Sequence, residues 1–286
     1  MEGLDGGFPF AESSCSSSLM HLHLLQLGRV PYAEALAIQA RVVAARKAGR
    51  IGDTLLLLEH PPVITLGRNS SRSNILASDE FLAARGVELH EVNRGGDVTY
   101  HGPGQLVGYP IFDLRGEWPG KRGPFLGPVD FVRMMEEALI RACADFGIAA
   151  QRIPRCTGVW TFGGGEQGPA NRDQGTDSAA SASSPLSAPC SLFPEKKLAA
   201  IGVHVSQGVT SHGFALNVTT DLRDFQWIVP CGIADRGVTS LELEADPARG
   251  PVTLARAAHS AARSFGRVFG RQVLACESLD DLLAVS

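Results

Sequence analysis

Three stretches of the 286-residue chain combine residue types whose spacing permits chemistry. The first runs from Arg94 to Gln105 as RGGDVTYHGPGQ. Glycines this dense let a backbone turn tightly and approach a ligand with its N–H groups exposed, and Arg94, Asp97, Thr99, Tyr100 and His101 add polar side chains between them. A hairpin loop with capping polar groups is the bland alternative, and the whole composition favours a site. The stretch fits neither G-x-G-x-x-G nor G-x-x-x-x-G-K-[ST], so it does not read as a nucleotide phosphate loop. The second stretch is KLAAIG, Lys197 to Gly202, where a lysine enters an apolar strand. Lys197 is either an edge residue reaching to water or an ammonium held in a dry pocket, and Lys196 should point to the opposite face, because strand side chains alternate. The third is IVPCGI, Ile228 to Ile233, in which Pro230 and Gly232 flank Cys231. Taken alone, Cys231 could be a packing residue like Cys143 and Cys276. His204, His212 and Gly213 complete the polar inventory, and a metal site would have to assemble from distant single residues.

The elements that must position these groups follow from periodicity. Tyr32, Leu36, Gln39 and Val42 fit an amphipathic helix ending near Gly49, and Thr54–Glu59 reads as a strand buried on both faces. Val63–Leu66 resumes an extended path after His60-Pro61-Pro62, and Ser78 N-caps a short helix that Gly86 stops. Extended segments are expected at Val87–Asn93, Leu106–Leu114, Gly158–Phe162, Lys197–Val205 and Val209–Val218. Helices are expected at Val129–Phe146, with Phe131, Met135, Leu139 and Ala142 on one stripe, at Val252–Phe269, and at Leu279–Ala284. The fold class is therefore α/β or α+β, a central mixed sheet with flanking helices.

Composition narrows the function. With 26 Lys+Arg against 30 Asp+Glu the net charge is -4, which gives no support to bulk nucleic-acid binding. No apolar run approaches the roughly 18 residues a membrane span needs. The six cysteines contain no C-x-x-C, which argues against a zinc ribbon or a small disulfide scaffold and suits a reducing cytoplasm. Residues 1–18, rich in Gly and Ser, read as a disordered tail, and residues 19–286 as one catalytic domain with a flexible insertion at 163–195, where large apolar groups are scarce.

In combination these residues resemble the octanoyltransferases, the lipoyl(octanoyl)-protein ligase B family. The resemblance covers about Leu25 to Leu243 and rests on EHPPVITLGR at 59–68, RGGDVTYHGPGQLVGYP at 94–110, TGVW at 157–160, KLAAIG at 197–202, HGFALNV at 212–218 and PCG at 230–232. It implies the fold of biotin and lipoate protein ligases, with helices and a mixed sheet around an acyl pocket. It implies Cys231 as acyl-accepting nucleophile and Lys197 as its basic partner. It also implies substrate binding by Arg94, Gly95, Gly96, Asp97, Val98, Thr99, Tyr100 and His101, by Ala200, Ile201 and Gly202, and by Gly213, Phe214 and Ala215. Physical chemistry agrees: a thiol of pKa about 8.5 needs a nearby base, and a lysine desolvated by apolar walls can serve as one.

The implied donor is octanoyl-acyl carrier protein. The implied acceptors are lipoyl domains of 2-oxoacid dehydrogenase complexes and the glycine cleavage H protein. Aminolysis of a thioester is downhill, so neither ATP, metal nor another cofactor is expected, and neither nucleic acid nor membrane is an expected partner. Arg115, Lys121 and Arg122 are candidates for a local patch that meets the acidic carrier. The insertion and the N-terminal tail are departures from the family pattern. Three other readings stay open on the residues alone: an ATP-dependent ligase, a Cys-His hydrolase using His101 or His212, and a noncatalytic carrier-binding module.

Overall fold

The computed structural model describes residues 20–116, 118, 123–162, 195–229 and 236–284. The tail at 1–18, nearly all of the insertion, Lys121, Arg122 and the segment containing Cys231 lie outside the described residues.

A mixed sheet forms the spine. Its strands are β1 (His21–Arg29), β2 (Asp53–Glu59), β6 (Gln105–Ile111), β7 (Gln151–Ile153), β8 (Cys156–Phe162), β9 (Glu195–Ser206), β10 (Val209–Asn217), β11 (Gly237–Val238) and β12 (Gln272–Cys276). Among the described residues the order is β12-β1-β2-β6-β10-β9-β8-β7, with β11 added beside β9. The β12-β1-β2 end is parallel, and the run from β2 to β7 is antiparallel throughout. The almost continuously apolar β2 sits in the interior, as a strand covered on both faces must.

Helices cover the two faces. On one, α3 (Pro128–Ala144) and α5 (Leu254–Phe269) bury Phe131, Met135, Leu139, Phe265 and Phe269 against Leu55, Phe112, Val159 and Leu216. On the other, α1 (Tyr32–Lys47) and α6 (Leu279–Ala284) cover Leu25, Leu56, Val107, Tyr109 and Ala215. The buried stripe of α1 is Tyr32, Ala35, Gln39, Val42 and Ala45, three- and four-residue spacings that keep one face inward. A three-stranded sheet, β4 (Glu88–Glu91), β3 (Val63–Leu66) and β5 (Val98–His101), packs with α2 (Asp79–Ala84) and the turn Leu222–Trp227. Ser78 caps α2 as expected, its Oγ accepting from Phe81 N–H, and Ser240 caps the short α4 (Leu241–Glu244) in the same way through Leu243 N–H.

One expectation is corrected, and two strands were not foreseen. The stretch after Arg94 is not wholly a loop: Val98–His101 pairs with β3, so only its glycine-rich ends are free of the ladder. β1 and β12 carry no clean alternating signature and escaped the periodicity reading; β1 also breaks register between Gln26 and Gly28. Glu136 on α3, fully buried, meets Arg133 at 2.7 Å and Arg152 at 3.2 Å, and its Oε1 accepts from Gly158 N–H at 3.1 Å. It ties α3 to the start of β8.

Candidate active site

The site is built where the Arg94 loop crosses β9 and β10 on the α1 face of the sheet. On that face Ala200 stands opposite Ala215, and Gly202 opposite Gly213. Four small side chains in two adjacent pairs leave a slot along the strands. Two backbones close in at its sides. A Cβ on Gly202 would lie 2.5 Å from Gly95 O, and one on Gly213 would overlap Gly108 O. Glycine is required at both places by proximity rather than by backbone conformation. The loop is anchored there by Gly95 N–H, which donates to Val203 O at 3.0 Å.

A break in strand register decides where Lys197 points. Val159 pairs with Ala199 but its neighbour Trp160 pairs with Lys197, so Leu198 is an extra residue in β9. Such a bulge shifts the alternation by one position. Leu198 and Ala199 both join the core under α3 and α5, while Lys197 is turned onto the face that carries Ala200 and Gly202. Lys197 is 9% exposed, and its Nζ lies 4.6 Å from the centre of the Trp160 ring. A cation over an indole face is attracted by the ring quadrupole. Lys196 is partly exposed and reaches Glu244 at 3.7 Å, so the two lysines do separate as strand geometry requires.

Of the residues nominated from sequence, Arg94, Gly96, Thr99, His101, Ala200, Ile201, Gly202, Gly213, Phe214 and Ala215 line one pocket. Gly95, Asp97, Val98, Tyr100 and Lys197 do not. Asp97 supports the loop from behind, accepting from Asn74 Nδ2 at 2.7 Å and from Val98 N–H at 2.7 Å. Val98 is buried in the smaller core. The Tyr100 hydroxyl donates to Asp224 at 2.6 Å, and burial together with that carboxylate pushes its pKa up. Cys231, the nominated nucleophile, is outside the described residues. Gly237 and Val238, a few positions further on, pair with Lys196 and Lys197.

The pocket also holds groups that sequence reasoning passed over or left unassigned: Tyr32, Val107, Tyr109 and His212. The Arg94 guanidinium is buried and donates to Thr65 O and Thr65 Oγ1, both at 2.8 Å. His60 Nδ1 donates to Val30 O at 2.8 Å, so its neutral Nε2 accepts the Tyr109 hydroxyl at 2.8 Å. A longer chain of hydrogen bonds orients His101. Asn217 Nδ2 donates to Thr239 O, Gln105 Nε2 donates to Asn217 Oδ1 and Tyr100 O, and Gln105 Oε1 faces His101 Nδ1 at 2.7 Å. Backbone carbonyls at two points fix both amides, which makes His101 Nδ1 the donor and leaves Nε2 without a proton.

Burial drives the site's titration behaviour. Desolvation, followed by the neighbouring His60, holds His101 down at about 3. His212 is held down at about 4 by desolvation, then by Arg94 and His204. Tyr32 is pushed up to about 12 by burial. The histidines are therefore neutral at neutral pH, and the imidazoles that line the slot are uncharged.

Elsewhere, Cys143 is fully buried in the main core, its thiol pushed up to about 12 by desolvation, as suits a packing residue. Cys276 is half-buried on β12 and faces His23. Arg115 forms a two-point ion pair with Asp113, at 2.8 and 2.6 Å, so its charge is largely satisfied within the chain. No helix among the described residues is long and apolar enough to cross a membrane.

Comparison with known proteins places this geometry in context. Residues 31–266 match the family described as lipoyl protein ligase A/B catalytic domain. An octanoyltransferase of Acidobacterium capsulatum is 62% identical over 267 residues, covering 92% of this chain and 96% of that protein. An octanoyltransferase of Koribacter versatilis is 50% identical, with 92% and 90% covered. Among solved structures, a bipartite lipoate protein ligase from Thermoplasma acidophilum superposes with a TM-score of 0.63 at 16% identity, covering 93% of this chain and 91% of that one. A lipoate-protein ligase A bound with ATP gives 0.61 at 15% identity, with 93% of each chain covered. These two likenesses bear on the fold.

Proposed function

Because the chain belongs to the octanoyltransferases of the lipoyl protein ligase A/B catalytic-domain family, and is thus an acyltransferase serving protein lipoylation, we propose that it works by a two-step transfer through Cys231. The donor is octanoyl held as a thioester on the phosphopantetheine arm of acyl carrier protein. Lys197 takes the Cys231 thiol proton, the thiolate adds to the thioester carbonyl, and the tetrahedral intermediate expels the carrier thiol, which recovers a proton. Octanoyl is then a thioester on Cys231. The acceptor amine, a lysine of a lipoyl domain, attacks that carbonyl, gives its proton to Lys197, and leaves as an amide while the Cys231 thiol reforms. The lipoyl domains of 2-oxoacid dehydrogenase complexes and the glycine cleavage H protein are the acceptors of this reading.

The observation that carries it is the bulge at Leu198, which turns a buried lysine onto the slot face instead of into the core. The exchange of one thioester for another is near balance and the aminolysis is downhill, so no ATP is needed. Backbone amides near the slot can stabilise the oxyanion. Gly95 N–H is already committed to Val203 O, and Gly202 and Gly213 face each other in the β9–β10 ladder, so Gly96 is the better-placed candidate.

Transfer from octanoyl-acyl carrier protein to a lipoyl domain, with ATP left out, tests the reading. Cys231→Ser should abolish transfer, and Lys197→Ala should slow it by about 10²–10⁴-fold, as loss of a general acid–base group does. A requirement for ATP would favour the ligase reading, release of free octanoate a hydrolase, and near-normal rates in Lys197→Ala would remove that lysine from the chemistry.

A further inference from the structure

Beyond the slot lies a second cavity of about 440 Å³, between α1 and the outer ends of β9 and β10. The boundary between the two falls at matching points on three separate segments. On the loop the lining passes from Asn93 to Arg94, on β9 from His204 to Gly202, and on β10 from Ser211 to Gly213. His212 lines both cavities. Its ring closes the gap: Nε2 donates to Asn93 Oδ1 at 2.7 Å, bridging β10 to the loop.

His212 is held in an unfavourable backbone conformation to do so. Its φ is +56°, the left-handed region that non-glycine residues occupy rarely, though histidine is enriched there. Residues kept in such conformations cluster at functional sites, and surrounding contacts must hold them. Here Gln39 on α1 does the holding, its Oε1 accepting from His212 N–H at 2.6 Å. With that oxygen committed, Gln39 Nε2 is buried and without a partner at the edge of the outer cavity. The positive φ also breaks the alternation of β10, which puts the ring over the slot face.

We propose that His212, braced by Asn93, is the end wall of the acyl slot and sets the length of chain the enzyme accepts. The inference rests on the reading that an acyl chain lies along the slot with its thioester beside Lys197. An extended eight-carbon chain has seven C–C bonds of about 1.5 Å, each advancing it by roughly 1.3 Å, and is thus roughly 9 Å long. That is about three residues of strand, so a chain that starts beside Lys197 runs along Ala200 and ends short of the Gly202–Gly213 pair that borders His212. A chain four carbons longer meets the imidazole. With the imidazole gone it can continue into the outer cavity, where Leu36, Ala40 and Val43 of α1 offer an apolar wall.

The experiment compares octanoyl- and dodecanoyl-acyl carrier protein as donors for the full chain, and in parallel titrates octanoate and dodecanoate as free ligands. Parent, His212→Gly and Asn93→Ala are used; glycine adopts the +56° φ without strain, so His212→Gly should fold. The parent should prefer the eight-carbon probe by at least about tenfold, since one misfit methylene already discriminates by that much. His212→Gly should bring the ratio to near one or invert it, and Asn93→Ala should move it part of the way. An unchanged ratio in folded His212→Gly overturns the proposal, whichever donor is faster. If no variant transfers from the carrier, the reading of the reaction fails, and fatty-acid binding still decides the wall. Improved dodecanoate binding by His212→Gly upholds it, and equal or absent binding in parent and variant defeats it.

Discussion

His101 and His212 are buried beside the slot with pKa values held near 3 and 4, against about 6.5 for an exposed histidine. Protonation therefore favours the unfolded chain. Both groups contribute their full stabilisation above pH 6.5, and it is lost as pH falls from there toward the folded values, by up to about 1.4 kcal/mol per pH unit for each. Melting temperature should fall between pH 6.5 and 4.5, and His212→Asn, which keeps a residue tolerant of positive φ, should flatten that slope. The same slope in parent and variant would show that His212 does not titrate on unfolding. At this scale the sequence was partly legible. Lys197 stands out as a cation in an apolar run, and Lys196 is separated from it by simple alternation. The importance of His212 was not legible, because it depends on a backbone angle, on Gln39 from α1 and on Asn93 from a distant loop. Glu136 was hidden likewise: it sits on the buried stripe of α3, and only the folded chain shows Arg133, Arg152 and Gly158 meeting there.

At the scale of elements, the crossing of the Arg94 loop over β9 is the joint on which the slot depends. Gly202→Ala places a methyl 2.5 Å from Gly95 O, a backbone atom that cannot rotate away. The loop must lift, losing the Gly95–Val203 hydrogen bond, which with the overpacking should destabilise the fold by about 1–3 kcal/mol. Octanoyl transfer should fall further than that loss alone explains, because Arg94 and Gly96 move with the loop. Melting and transfer measured on the same preparation check this; a variant with parental transfer would show that the loop does not shape the slot. The long elements here were read well from sequence. α3, α5, β2, β9 and β10 have strong periodicity or long apolar runs, and each was expected within a few residues of its observed bounds. β5 was read as loop because glycines surround it, and its strand character comes from pairing with β3. The bulge in β9 left no sequence mark, since KLAAIG reads as an ordinary strand, yet it decides the direction of Lys197.

For the whole molecule, the described residues form a mixed sheet covered on both faces with a smaller three-stranded sheet beside it, and the family match spans 31–266. We propose that 19–286 is a single catalytic domain and that 163–195 is an insertion between β8 and β9, whose facing ends pair at Phe162 and Glu195. The motif blocks were legible because they recur in order along the chain. Their convergence was not, since it needs β6, β9 and β10 as neighbours and the loop laid across them. In the proposed reaction this scaffold passes octanoyl through a covalent thioester without ATP. The most direct measurement is the intact mass of the protein mixed with octanoyl-acyl carrier protein alone, followed by peptide mapping. The account predicts one added octanoyl group on Cys231, labile to hydroxylamine, discharged by a lipoyl domain and absent in Cys231→Ser. An unmodified protein that still transfers octanoyl, or an adduct on another residue, would contradict it.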